Sequence, residues 1–119
     1  MVPPGTFMVP DDEIEPERLA RAYSALANPV RLRILHHVAR HADCCCKDLT
    51  GRLPLAQSTV SQHLKVLIEA GLIEARAVPP RSRYTINAPL LAELARSTEA
   101  FLGECCACVG SDKVKVAAH

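Results

Sequence analysis

The sequence predicts a mainly α fold with one small β-hairpin, a winged helix-turn-helix. Three observations predict it. Apolar residues recur at helical spacing through most of the chain. A short helix, a proline-marked turn at Pro54 and a longer helix follow one another between about Cys46 and Ala70. Two β-prone runs around Val78-Pro79-Pro80 then read as a hairpin.

Composition sets the bounds. The 119 residues suit one domain. At 49% hydrophobic and only 3% aromatic, the core must be built from Leu, Ile, Val and Ala, which suits helical packing. Residues 11–17 carry five acids, whereas residues 31–83 carry nine Lys/Arg against four acids. A basic centre between more acidic ends suits a phosphate-facing surface, although a solvated charge pattern would look the same. No apolar run approaches the ~20 residues that span a bilayer. The N-terminus has no basic region followed by a hydrophobic core, so a cytoplasmic location is expected. In that reducing compartment the six cysteines are expected to be ligands or sensors rather than structural disulfides.

Taken in order, residues 1–15 hold Pro3, Pro4, Gly5 and Pro10 and then acids, and are expected to form a flexible arm. Residues 16–109 are expected to form the folded domain, whose DNA-binding and dimerising parts follow from its elements, and residues 110–119 a flexible tail. Leu19, Ala22, Tyr23 and Leu26 make the stripe of a first helix that starts at Pro16 and ends at Ala27. Asn28 is the expected N-cap and Pro29 the first residue of a second helix running to about Arg40, with Val30, Ile34 and Val38 inward. His41-Ala42-Asp43 is a connector, and a short helix follows from about Cys46 to Leu53. Pro54 separates it from the next helix.

That next helix is the candidate reader of DNA. Gln57, Ser58 and Thr59 can cap its first N–H groups. Val60, Leu64, Leu67 and Ile68 form its apolar face, leaving Ser58, Ser61, Gln62 and Lys65 on the other side. Short hydrogen-bonding residues and a lysine suit a major groove. An ordinary amphipathic surface helix would share the pattern, so its neighbours decide. Gly71 is a good C′ residue. The runs Leu72–Ala77 and Arg81–Ile86 form the wing, with Arg81 and Arg83 placed to reach phosphates or a minor groove. Asn87-Ala88-Pro89 opens a last helix whose stripe is Leu91, Leu94, Ala95, Thr98, Leu102 and Cys105. The stripes of the first and last helices are too apolar for solvent in so small a domain, so a two-fold dimer built from both is expected.

This order of elements resembles the ArsR/SmtB family of winged-helix repressors. Three stretches carry the likeness: Ala25-Leu-Ala-Asn-Pro-Val-Arg-Leu-Arg-Ile-Leu35, then Leu55 through Ile73 with its Gln-Ser-Thr-Val-Ser-Gln-His-Leu-Lys core, then the wing through Tyr84. The resemblance covers roughly residues 17–103. It implies a homodimer packed through its first and last helices. It also implies binding to operator DNA, and release when a metal, metalloid or oxidant occupies a sensing site. The DNA-contacting set it and the helix pattern suggest is Gln57, Ser58, Thr59, Ser61, Gln62, His63, Lys65, Arg81 and Arg83.

The candidate sensing residues are two thiol clusters. Cys44, Cys45 and Cys46 adjoin the short helix, where arsenic- and cadmium-sensing relatives carry a Cys-x-Cys pair. Cys44 and Cys46 have that spacing, yet an ungapped match places Lys47 on the second cysteine, and Thr50 stands where some members have a third. The second cluster is Cys105, Cys106 and Cys108 in the last helix, where Cys105 and Cys108 share a face at i, i+3. Three thiols within four residues suit a soft three-coordinate ion such as arsenite, and soft thiolates select against Mg, Ca or Mn. Residues 87–110 contain no His, which argues against the carboxylate and histidine site of zinc, nickel and cobalt members. The expected inducer is arsenite or a related trivalent arsenical, with antimonite an alternative, and no organic cofactor is expected. Thiol redox or persulfide sensing, pairing a cysteine near the short helix with one in the last helix, is the competing function.

An enzyme is not expected. A thiol oxidoreductase would place Cys-x-x-Cys at a helix start in a βαβ setting, whereas Cys105-x-x-Cys108 ends a helical stretch. No phosphate-binding glycine loop or nucleophile elbow is present. His36, His37 and His41 are expected to be solvated or packed, and His63 to make a helix-face hydrogen bond.

Overall fold

The computed structural model describes residues 15–109. The expected arm falls almost wholly, and the tail wholly, outside that range. In order, the elements are α1 (Pro16–Leu26), α2 (Pro29–Arg40), α3 (Cys46–Arg52), α4 (Gln57–Glu69), β1 (Ile73–Val78), β2 (Arg81–Ile86) and α5 (Ala88–Val109). The two strands pair antiparallel, from Ile73 opposite Ile86 to Val78 opposite Arg81. The architecture is the winged helix-turn-helix that the sequence predicts.

Local chemistry fixes most boundaries. Asn28 caps α2 as expected: its Oδ1 accepts from the backbone N–H groups of Val30 at 2.8 Å and Arg31 at 3.2 Å. Pro29 follows at N1, where its missing N–H costs nothing. The start of α4 differs from expectation. Ala56 is its N-cap, with no side-chain cap, and the Ala56 carbonyl already accepts from Thr59 and Val60 at 3.1 Å each. The helix therefore begins as soon as the chain clears Pro54-Leu55. Gln57 and Ser58 occupy its first turn facing solvent instead of capping it.

The core is aliphatic. Ile34 and Val38 of α2, Leu49 of α3, and Val60, Leu64 and Leu67 of α4 are buried together with Leu72 and Ile73. In α1 the buried residues are Leu19, Ala22 and Ala25. Tyr23, expected in that stripe, is 37% exposed, with its hydroxyl 2.6 Å from Thr98 Oγ1 on α5. Cys44 forms an isolated bridge to Tyr84, whose N–H donates to the Cys44 carbonyl at 2.8 Å. The hairpin thus gains a third, one-residue strand that periodicity could not reveal.

The turn after α4 is a Schellman motif. Gly71 N–H donates to the Ile68 carbonyl at 2.9 Å and Leu72 N–H to the Leu67 carbonyl at 3.0 Å. Leu67 and Leu72 are both fully buried. Gly71 has φ +84, and a Cβ there would lie 3.2 Å from Leu90 Cδ2. Asn87 closes the other side: its Nδ2 donates to the Gly71 carbonyl at 2.9 Å and its Oδ1 accepts from Leu90 N–H at 3.3 Å.

α5 is held by α1 only over its first half. Leu94 and Ser97 are buried, whereas Phe101, Leu102 and Val109 are more than half exposed. The predicted stripe is therefore covered at Leu94, partly covered at Leu91 and Thr98, and exposed at Ala95, Leu102 and Cys105. We expect Gly71→Ala to destabilise the fold by about 1–2 kcal/mol, the cost of a left-handed conformation at a residue with a Cβ, plus the displacement of Leu90. A chemical denaturation midpoint indistinguishable from wild type would contradict this.

Candidate DNA interface and thiol clusters

The polar face of α4 is turned outward. Gln57, Ser58, Ser61, Gln62 and Lys65 are exposed, and Thr59 is half-buried. The same helix buries Val60, Leu64 and Leu67, so the face is fixed by the core and does not depend on a partner. His63 stands apart from this row. It is half-buried, and its Nδ1 lies 3.3 Å from Arg31 Nη1 of α2. A guanidinium only donates, so the ring accepts there. This is the helix-face hydrogen bond the sequence suggested; its place in the DNA-contacting set has no geometric support here.

The wing presents its arginines unequally. Arg81 is exposed beside the Pro79-Pro80 turn. Arg83 is half-buried and sits directly opposite Arg76 in the strand register, a like-charge pair that is unfavourable alone. Asp43 relieves it. The Asp43 carboxylate accepts from Arg76 at 2.8 Å, and the Asp43 carbonyl accepts from Arg83 at 3.1 Å. Asp43 has φ +62, a conformation that short polar residues tolerate, and this aims both groups at the wing. The exposed ion pair itself is worth at most about 1 kcal/mol, so its role is to orient. A groove of about 250 Å³ lies between α4 and the wing, walled by Gln57 and Ser61 on one side and Arg81 and Ser82 on the other, with Lys47 at its edge.

The first thiol cluster does not converge. Cys44 is buried under the wing, and burial, helped by the nearby Asp48 and Cys45, pushes its thiol up to about 11. Cys45 is buried as the N-cap residue of α3, where Asp48 Oδ2 accepts from its backbone N–H at 3.0 Å and from its Sγ at 3.5 Å. Those hydrogen bonds hold the Asp48 carboxyl below its ordinary range. Cys46 is half-buried and points toward α4, with Sγ 3.6 Å from Ser61 Oγ. Tyr84 lies over the group; burial first, then the neighbouring thiols, raises its phenol.

The second cluster is open. Cys105 and Cys108 are exposed and Cys106 is half-buried, all within the last turns of α5. At about 100° per residue, Cys105 and Cys108 lie about 60° apart, but Cys106 lies about 160° from Cys108. While α5 stays helical, two of these thiols share a face and the third does not. Among the described residues no three His, Cys, Asp or Glu side chains come together as a metal site. His37 and His41 stack with ring centroids 4.4 Å apart, and burial lowers the His37 pKa.

Sequence reasoning missed the roles of Asp43 and Arg31: Asp43 lies in a connector with no periodic signal, and Arg31 lies in a family stretch that says nothing of its contact with His63. It also missed Ser97, which is buried where the stripe predicts solvent.

The family comparison settles the class. A profile described as bacterial regulatory protein, arsR family, matches residues 28–75. An arsenical resistance operon repressor of Bacillus subtilis is 34% identical over 79 residues, which span 64% of this chain and 75% of that protein. The chain belongs to the ArsR family of transcriptional regulators. It is a regulator, not an enzyme. A probable mercury resistance operon repressor of Streptomyces lividans is 33% identical over 81 residues, or 66% of this chain and 62% of that protein. Among solved structures, an ArsR-like regulator from Rhodococcus sp. RHA1 superposes with a TM-score of 0.69 at 29% identity, covering 87% of this chain and 94% of that one. A homodimeric winged helix-turn-helix domain from Mycobacterium bovis gives 0.60 at 30% identity, with coverage of 74% and 81%.

The thiols differ enough for a direct test. Near neutral pH, iodoacetamide should label Cys105 and Cys108 long before Cys44, as read by peptide mass spectrometry. Because the folded Cys44 thiol is raised above its unfolded value, its contribution to stability is complete below about pH 9.0. It is lost as pH rises toward about 11. The stability difference between wild type and Cys44→Ala should shrink across that window. Early labelling of Cys44, or a difference that grows with pH, would overturn the assignment.

Proposed function

We propose that this ArsR-family chain is a homodimeric, operator-binding repressor released from DNA when cysteine thiolates capture a soft metalloid, most readily trivalent arsenic. The observation that carries the DNA half is the outward row of Ser58, Ser61, Gln62 and Lys65 on a helix whose opposite face is locked in the core. Gln62 and Ser58 suit base edges, while Lys65 and Arg81 suit phosphates. Arg83 is the weaker candidate, since Asp43 already engages it. The bare apolar run Phe101, Leu102 and Val109 is the proposed dimer surface together with α1, in keeping with the homodimeric relative.

The sensing half rests on accessible thiols. Cys105 and Cys108 share one face and offer two ligands to a thiophilic ion, and Cys106 joins them if the last turn opens. The relatives named for arsenical and mercury resistance deal with ions of this soft class. Cys44 and Cys45 are buried, so a reading-head site would require the wing to lift from Cys44. Cys46 favours a second reading, oxidation or persulfidation beside the recognition helix, because its sulfur already touches Ser61.

Titration of an operator-bound dimer separates these readings. Gln62→Ala should cost about 1–3 kcal/mol of operator affinity and relax sequence preference. The triple variant Cys105→Ser/Cys106→Ser/Cys108→Ser should bind DNA normally but resist release by arsenite. The release lost should correspond to a coupling of about 1–3 kcal/mol. A normal response in the triple variant, with loss in Cys44→Ser/Cys46→Ser, would move the site to the reading head. Release by polysulfide alone would make the protein a sulfur sensor.

A further inference from the structure

Arg31 occupies the first turn of α2, but its side chain leaves that helix. Its Nε donates to the Ala25 carbonyl at 2.5 Å and its Nη2 to the Ser24 carbonyl at 3.3 Å. Both acceptors lie in the last turn of α1, where the carbonyl end of a helix favours a cation; the Ser24 carbonyl also accepts from Ala27 N–H at 3.3 Å. The remaining nitrogen, Nη1, reaches His63 Nδ1 at 3.3 Å. One planar guanidinium therefore touches the end of α1 and the middle of α4. Its fork is rigid, so three bonds in fixed directions define an angle and not merely a contact.

The position of each partner matters. α1 is tied to α5 through the Tyr23 to Thr98 hydrogen bond, so its end moves with the α1/α5 layer. His63 sits between Gln62 and Lys65 in sequence, on the inner side of the helix that carries them. No other side-chain hydrogen bond among those described runs from the α1–α2 junction to α4.

We propose that Arg31 is a positioning residue for DNA binding. It holds the recognition helix at a fixed angle to the α1/α5 layer, and so sets the separation of the two recognition helices in a dimer. A dimer reading two half-sites one DNA turn apart needs that separation held, because one inserted base pair shifts and rotates the second half-site together. The inference rests on the proposed α1/α5 dimer, and it adds the residue that links that layer to the reading helix.

The test uses the full chain and a duplex that the wild type selects from a random pool. A second duplex carries one extra base pair between the half-sites. The wild type should prefer the selected duplex by about tenfold or more, the scale of interaction energies between coupled groups. Arg31→Met and His63→Leu should each shrink that ratio to about threefold, with no further loss in the double variant. His63→Asn, whose amide oxygen can stand where Nδ1 accepts, should keep the wild-type ratio. Sedimentation mass and melting temperature are read for every variant. A merely structural role would lower the melting temperature while leaving the ratio alone. Ratios unchanged in both single variants, or effects that add in the double, would overturn the proposal. So would a salt slope reduced by about one in Arg31→Met, since that would put the guanidinium on a phosphate. If the wild type is monomeric or selects no duplex, the dimeric operator reading fails as well. A dimer that selects DNA but ignores both substitutions defeats only the role of Arg31.

Discussion

The two elements proposed to read DNA, α4 and the wing, both depend on the turn at Ala70–Leu72. There α4 ends, the wing begins and the last helix is anchored, all through one set of hydrogen bonds. Gly71 and Leu72 return their N–H groups to the Ile68 and Leu67 carbonyls. Their own carbonyls are taken by the side chain and backbone of Asn87. The positive φ of Gly71 disfavours any residue with a Cβ, and a Cβ there would press on Leu90 Cδ2 at 3.2 Å. Three elements therefore share one geometry, and α4 cannot tilt without involving the wing and the start of α5. A displacement of any one of the three elements would therefore be felt by the other two.

Around that turn the two candidate thiol clusters have opposite physical characters. The first is built into the fold: Cys44 is a strand residue under the wing, Cys45 a helix cap and Cys46 a neighbour of the recognition helix. Three adjacent residues thus do three different things, because an extended segment entering a helix sends successive side chains in different directions. The second lies at the far end of α5, beyond the last buried residue, where helical geometry alone decides which thiols can meet. A ligand at the first would act on the wing and α4 directly. A ligand at the second would act through α5 and α1, with Arg31 among the contacts between that layer and α4.

The parts of this structure legible in the sequence are those that periodicity and capping chemistry determine. Asn28-Pro29 marked the start of α2, Gly71 the end of α4, and Val60, Leu64 and Leu67 the buried side of α4, because each is a local consequence of residue type. The exposed row of Ser58, Ser61, Gln62 and Lys65 followed from the same period. What the sequence hid was long-range. Asp43 meeting Arg76 and Arg83, Arg31 meeting His63, and Cys44 pairing with Tyr84 join residues 30 to 40 positions apart, and no local pattern announces them. The environments of the thiols were hidden for the same reason: adjacency in sequence suggested a cluster, and tertiary packing dispersed it.

The proposed function puts DNA against the outward face of α4 and the tip of the wing and leaves the end of α5 clear of it. Hydrogen–deuterium exchange on the full chain, with and without a selected operator duplex, distinguishes these surfaces. New protection is expected in residues 57–65 and 78–83, with exchange in residues 101–109 unchanged. Protection confined to the end of α5, with α4 and the wing unaffected, would contradict it.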